Sequence, residues 1–373
     1  MKVGILTFPN STSYGASLQM YALYHTVEEM GYEAEAINYF NAHMKGNLHL
    51  EKMQKLSPWK RMIRVRLTQL LHCRQHLGFW MFEKSMTKYP SRSFSAREQL
   101  PEIGERYGAV ICGSDQVWNP DITNADLSYF LDFCGQKTAR ISYAPSFGVE
   151  SLSESLSYAV TKELNRFSWL SVREESGRKL IRQIANRDAQ LVVDPTLLMN
   201  AQQWTQYEIS HPAVKGDYIL YYTVRSSASL WQYCTNLAQR HNLKILRIGS
   251  NVISRNKKRN DMVEYVCDVS PGEWLYLVHH ARCVVTNSFH GTAFSINYRK
   301  DFYVEFSSLT NSRLTHIINT LGLENQVVSS VEPSLSIKTD YTKTAQVLPL
   351  IREESRNYLE QALADAFERY EKA

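Results

Sequence analysis

The 373-residue chain lacks most of the features that would assign it to a class at once. Its six cysteines (Cys73, Cys112, Cys134, Cys234, Cys267, Cys283) include no CxxC pair and no Cys/His set at zinc spacing. That speaks against a zinc centre or a disulfide framework and for reduced thiols. No apolar run approaches the roughly 18 residues of a membrane span. The amino terminus shows neither the apolar core nor the small-residue cleavage site of a secretory signal, so a cytoplasmic protein is expected. There is no GxSxG elbow, Walker loop, HExxH helix, kinase signature or GxGxxG fingerprint. His and Asp residues do not cluster at metal-ligand spacing, and neither a metal nor another cofactor is expected.

What is present suits a folded protein. The chain is 44% hydrophobic and 21% charged, which excludes a largely disordered or collagen-like molecule. At roughly 150 residues per domain its length suggests two domains. Net charge is +5, but it is unevenly spread. Residues 41–100 hold twelve Lys and Arg against Glu51, Glu83 and Glu98, a local +9, so the rest is slightly acidic. A chain-wide nucleic-acid binder would not be built this way. The basic stretch reads as a solvated helical face, or as a surface for anionic lipid or a pyrophosphate-linked glycan, where each Lys or Arg gains roughly 1 kcal/mol.

Strand and helix patterns alternate along the chain. Strands are expected at 3–8, 34–39, 107–112, 140–144, 169–172 and 190–193, with helices over 18–30 and 156–167. A second series follows Pro195, with strands at 218–223, 244–248, 283–286 and 303–306 and helices at 229–241, 272–281 and 292–298. A last helix begins near Pro349 and puts Ile351, Leu359, Leu363 and Phe367 on one face. The expected architecture is α/β, two Rossmann-like doubly wound domains facing a cleft. The first spans 1–197 with a basic helical insertion at about 41–100, and the second spans 198–348. The closing helix, 349–373, is expected to cross back to the first domain.

Ligands of open parallel sheets bind beyond the carboxyl ends of strands, so the turns there hold the candidate residues. In 284–292 (VVTNSFHGT), His290 and Gly291 stand at a helix start, where backbone amides attract an anion and an imidazole can move a proton near neutral pH. The structural alternative is that Ser288 caps the helix and His290 bonds within the loop. In 112–119 (CGSDQVWN), Gly113 and Ser114 lead to Asp115, Gln116 and Trp118, a carboxylate, an amide and an indole able to grip a polyol. There the alternative is a plain turn with Asp115 as a cap. Arg173 offers a rigid fork for a carboxylate or phosphate, or else pairs locally with Glu174 or Glu175. Tyr14 and Gly15 can line the cleft, and Arg313 is a further anion ligand or a surface arginine.

Taken in order, these segments resemble the polysaccharide pyruvyl transferase family. The likeness is carried by Gly4–Phe8 with Tyr14-Gly15-Ala16, by Leu18-Gln19 and Tyr21-Ala22-Leu23, and by Asn38-Tyr39. It continues through segments 112–119, 142–148 (SYAPSFG), 172–174 (VRE), 193–197 (VDPTL) and 286–292 (TNSFHGT). The resemblance implies a GT-B-like enzyme that moves pyruvate from phosphoenolpyruvate onto a sugar of a bacterial-type surface glycan or its precursor, as a cyclic ketal, releasing phosphate. It implies His290 as catalytic acid or base, with Asp115 activating the acceptor. Arg173, Ser288, Phe289, Gly291 and Arg313 would bind the donor. Tyr14, Gly15, Gly113, Ser114, Gln116 and Trp118 would bind the acceptor, a sugar nucleotide, lipid-linked or polymeric glycan. Two other readings stand beside it: a glycosyltransferase of the same fold using a nucleotide sugar, and a glycan-binding relative without catalysis.

Overall fold

The computed structural model describes residues 2–8, 12–39, 41, 73–87, 94, 97–249, 261–306, 311–328, 336 and 338–372. Besides short helical turns, its elements run in chain order β1 (Lys2–Leu6), α1 (Tyr14–Glu29), β2 (Glu33–Ala36), α2 (Cys73–Met86), β3 (Ala109–Cys112), β4 (Ala139–Ser142), α3 (Glu154–Leu164), β5 (Ser171–Val172), α4 (Glu175–Ala185), β6 (Gln190–Leu191), β7 (Tyr218–Tyr222), α5 (Ala228–His241), β8 (Lys244–Ile248), β9 (Val263–Val266), α6 (Pro271–His279), β10 (Cys283–Thr286), α7 (Phe289–Asn297), β11 (Phe302–Val304), α8 (Asn311–Leu321) and α9 (Thr342–Lys372). They form two compact units. Unit 1 comprises Met1–Val65, Glu83–Leu198 and Leu350–Ala373; unit 2 comprises Arg66–Phe82 and Met199–Pro349.

Unit 1 has a parallel sheet in the order β2-β1-β3-β4, and a parallel bridge from Ile141 to Trp169 leads on to the pair β5-β6. Strand β1 is squeezed between its neighbours, because a Cβ on Gly4 would lie 2.9 Å from both Ile37 and Tyr107. The core gathers Val110, Cys112, Trp118, Phe130, Phe147 and Phe167. Burial pushes the Cys134 thiol up to about 12, so it stays an un-ionised, small hydrophobe.

The end of the chain completes this unit. Ser355 Oγ accepts from Val193 N at 2.9 Å, Tyr358 Oη donates to Ser142 O at 3.0 Å, and Trp169 Nε1 donates to Asp365 Oδ2 at 2.9 Å. Leu359, Ala362 and Leu363 on α9 are fully buried. Helix α9 starts at Thr342 rather than near Pro349, which it accommodates internally.

Unit 2 has a five-stranded parallel sheet in the order β11-β10-β7-β8-β9. Its core includes Ile219, Tyr221, Leu230, Ile245, Cys283, Val285 and Tyr303. Helix α7 is buried along all nine residues, so it belongs to the core and not to a surface layer. Of the stretch read as a basic insertion, the described residues 73–82 group with unit 2 and those from Glu83 on with unit 1. Arg74 pairs with Glu273 at 2.7 Å, and Gly78 abuts Ser270 so closely that a Cβ would meet it at 2.8 Å. Most of the basic stretch, 42–72, lies outside the described residues, as do residues 9–11 of the loop after β1. Among the described residues no helix is long and apolar enough to cross a membrane.

Candidate functional site

In unit 2 the chain leaves β7 for β8 on one side, while β10 leads to β11 on the other, so the β7/β10 boundary is the topological switch point. Asn287 ties the two strand ends together: its Oδ1 accepts from Val224 N at 3.0 Å and its Nδ2 donates to Arg225 O at 2.9 Å. Thr286 Oγ1 accepts from Ser288 N at 3.0 Å, and Ser288 Oγ accepts from Gly291 N at 3.3 Å, capping α7. His290 therefore occupies the second helical position. It is 8% exposed, and its ring meets Phe289 edge-on with centroids 5.2 Å apart.

Two parts of the sequence reading are narrowed. Ser288 is the cap, as its structural alternative had it, and takes the Gly291 amide. Gly291 is needed for packing: a Cβ there would fall 2.5 Å from Thr286 Oγ1 and 3.1 Å from Tyr222. Because Thr286 is β-branched and fixed by its own hydrogen bond, Gly291→Ala is expected to cost about 1–3 kcal/mol. A urea midpoint equal to that of the wild type would show that Thr286 swings aside freely. Arg313 is the second change. At 6% exposure it is no surface arginine, and its helix α8 packs on α7.

Unit 1 has its own switch point, between β1 and β3. Thr7 Oγ1 donates to Ser114 O at 2.8 Å and accepts from Gln19 Nε2 at 2.9 Å. Gly113 leaves room for Thr7 and Leu23, each 3.2 Å from where its Cβ would be. Beside this crossing lies a buried charge cluster. Arg173 Nη1 is 2.6 Å from Asp194 Oδ2, while Ser114 Oγ donates to the same oxygen at 2.9 Å. Asp194 Oδ1 takes bonds from Thr196 N and Oγ1 at 3.0 and 2.7 Å. Glu174 Oε2 stands 3.9 Å from Arg173 Nε, and Glu174 Oε1 accepts from Ser146 Oγ at 2.7 Å. One guanidinium thus faces two carboxylates. Burial and the charge of Asp194 push the neighbouring Tyr143 phenol well above its ordinary range.

The partner of Arg173 is therefore Asp194, 21 residues on, more than adjacent Glu174; Glu175 pairs instead with Arg178 at 2.9 Å. Asp115 adopts a left-handed φ of 79°, and its Oδ1 accepts from Gln116 N at 2.8 Å, so it shapes a strained turn instead of capping a helix. Asp115 and Gln116 are half-buried, whereas Tyr14 and Gly15 are buried in the first turn of α1. Trp118 must be withdrawn as a sugar platform. It is 2% exposed, stacks on Phe130 at 4.9 Å and donates Nε1 to Tyr129 O, all within the core. Asp194, Asn287 and Glu305 are residues that sequence reasoning gave no role. Glu305, just past β11, accepts from Ser227 Oγ at 2.9 Å and Ser229 Oγ at 2.6 Å.

Both units carry their candidate residues at carboxyl strand ends, and the sequence model of one family, polysaccharide pyruvyl transferase, matches residues 14–304. The chain belongs to that family. No curated protein matches it in sequence. Among solved structures it is similar to a protein from Listeria monocytogenes assigned as a UDP-N-acetylglucosamine 2-epimerase, at 11% identity and TM-score 0.52, over 96% of this chain and 90% of that one. It is also similar to the UDP-GlcNAc 2-epimerase of Neisseria meningitidis bound to UDP-GlcNAc, at 12% identity and TM-score 0.50, over 100% of both chains. The likeness is one of fold, GT-B with Rossmann-like halves, and agrees with the strand orders above. Within the pyruvyl transferase match lie His290, Ser288, Gly291, Arg173, Asp115 and Asp194. Arg313 lies beyond it, so its interest rests on its burial alone.

Proposed function

We propose that this pyruvyl transferase takes its pyruvate from phosphoenolpyruvate and closes it as a cyclic ketal on two hydroxyls of a surface glycan or its precursor. The observation that carries the reading is an imidazole at the second position of a buried helix, beyond the carboxyl end of β10 and inside the family match. A proton delivered to the methylene carbon of the donor leaves its central carbon as an oxocarbenium-like electrophile. One sugar hydroxyl adds there, phosphate leaves, and the second hydroxyl closes the ring. Of the two protons the hydroxyls release, one balances the new methyl group and the other departs with phosphate. His290 is the acid for the first step, since an imidazole can give and take a proton in place. Arg313 and the start of α7, both in unit 2, offer positive charge to the donor.

The reading is tested by incubating the protein with phosphoenolpyruvate and a panel of sugar nucleotides, lipid-linked oligosaccharides and polymers, and reading phosphate release and product mass. A gain of the mass of one ketal-linked pyruvate is expected. Nucleotide release from a sugar nucleotide without consumption of phosphoenolpyruvate would replace the proposal with glycosyl transfer.

A lipid-linked acceptor is favoured by α2. Leu77, Trp80 and Met81, at i, i+3 and i+4, are 50%, 52% and 57% exposed on one face, directly after the basic stretch 41–72. The protein is expected to float with vesicles containing anionic lipid, and Trp80→Ser to weaken that binding severalfold. Flotation that ignores both lipid charge and this substitution would exclude the membrane contact.

A further inference from the structure

We propose that Glu208, His279 and His280 form a site for one divalent transition-metal cation, Zn2+ being the natural occupant. Glu208 Oε1 lies 2.8 Å from His279 Nδ1, and Glu208 Oε2 lies 3.9 Å from His280 Nδ1. All three donors lie within 4.8 Å of one another. In a tetrahedral zinc site with bonds of about 2.0–2.2 Å, neighbouring ligands stand about 3.3 Å apart, a value these two separations bracket.

The cluster is held from several sides. Gly272 lets the segment around Glu208 press on α6: Ile209 N donates to Gly272 O at 3.0 Å, and a Cβ on Gly272 would meet Tyr207 O at 2.7 Å. Gly272, Tyr276 and His280 recur every four residues on one helical face, beside His279. Both rings are stacked, His279 on Tyr298 at 4.5 Å and His280 on Tyr276 at 3.9 Å. The histidines close α6, where the helix dipole favours a cation.

Two imidazoles and one carboxylate suit zinc, nickel or copper better than magnesium or calcium, and three protein ligands leave a fourth position for water. Binding exchanges the Glu208–His279 hydrogen bond and the His280 contact to Tyr276 O, at 3.0 Å, for metal bonds. The site precedes β10, whereas His290 follows it, so the cation would clamp Glu208 to α6 and take no part at the imidazole of His290.

The full-length, untagged chain, stripped with a chelator, is titrated with Co2+ and then Zn2+. One equivalent of Co2+ with the visible absorption of four-coordinate geometry is expected, displaced by Zn2+ and accompanied by a rise in Tm. His279→Ala and Glu208→Gln are each expected to weaken binding about tenfold or more. Glu208→Gln keeps an acceptor for His279, which preserves the fold. Absence of saturable Co2+ binding up to 100 micromolar metal, or binding indifferent to both substitutions, would overturn the proposal. Neither result bears on pyruvate transfer, which the donor assay tests separately.

Discussion

His290→Ala is expected to lower turnover with phosphoenolpyruvate by about 10²–10⁴-fold, the usual worth of a positioned general acid. The fold should survive the change, because the start of α7 is secured by Ser288, Thr286 and Asn287. Loss should fall on kcat more than on KM, since the proton is moved in the chemical step and the donor's charges are held elsewhere. Steady-state kinetics beside circular dichroism decide the matter. Turnover within twofold of wild type would take His290 out of the mechanism and leave it a packing residue against Phe289.

Asp194→Ala should have the largest effect on stability. It takes the carboxylate 2.6 Å away from the buried Arg173, 3% exposed, and removes acceptors from Ser114 and Thr196. Breaking one side of a buried ion pair costs about 3–5 kcal/mol. Replacing Arg173 by Met in the same background should restore part of that loss, because the uncompensated charge goes with it. Urea denaturation of the single and double variants gives the coupling directly. If the two losses simply add, the pair contributes no coupling and the cluster is held by Ser114 and Thr196. Asp194→Asn keeps the acceptor for Thr196 N and isolates the charge, so its urea midpoint separates the ion pair from the hydrogen bond.

Where burial was one-sided or complete, the sequence pattern was sufficient. The strands 244–248 and 283–286 appear with the expected limits, and both sheets have the parallel order of doubly wound folds. Amphipathic elements with few apolar residues escaped. Helix α4 buries only Gly177, Leu180 and Ile181 among its charges, and edge strand β9 buries only Val266. Helix α8 also went unread, and with it the burial of Arg313. At the candidate site the right segments were visible but their mutual contacts were not. Asp194 and Ser114 are 80 residues apart, and Glu208 and His279 are 71, distances over which no periodicity speaks. Trp118 misled for a related reason: an indole after a strand looks the same in sequence whether it faces ligand or, as here, Phe130, Phe147 and Phe167.

The bonds from Ser355, Tyr358 and Asp365 into unit 1 bear on how the molecule is made. Strands β1 to β6 leave the ribosome well before residues 355–365, yet their packing waits on these. Until then Trp169 and Val193 N lack their final partners, and unit 2 is free to fold first although it is synthesised second. A nascent chain arrested before α9 should therefore expose unit 1 to proteases and chaperones, and a frameshift ahead of residue 355 should damage strands made about 200 residues earlier.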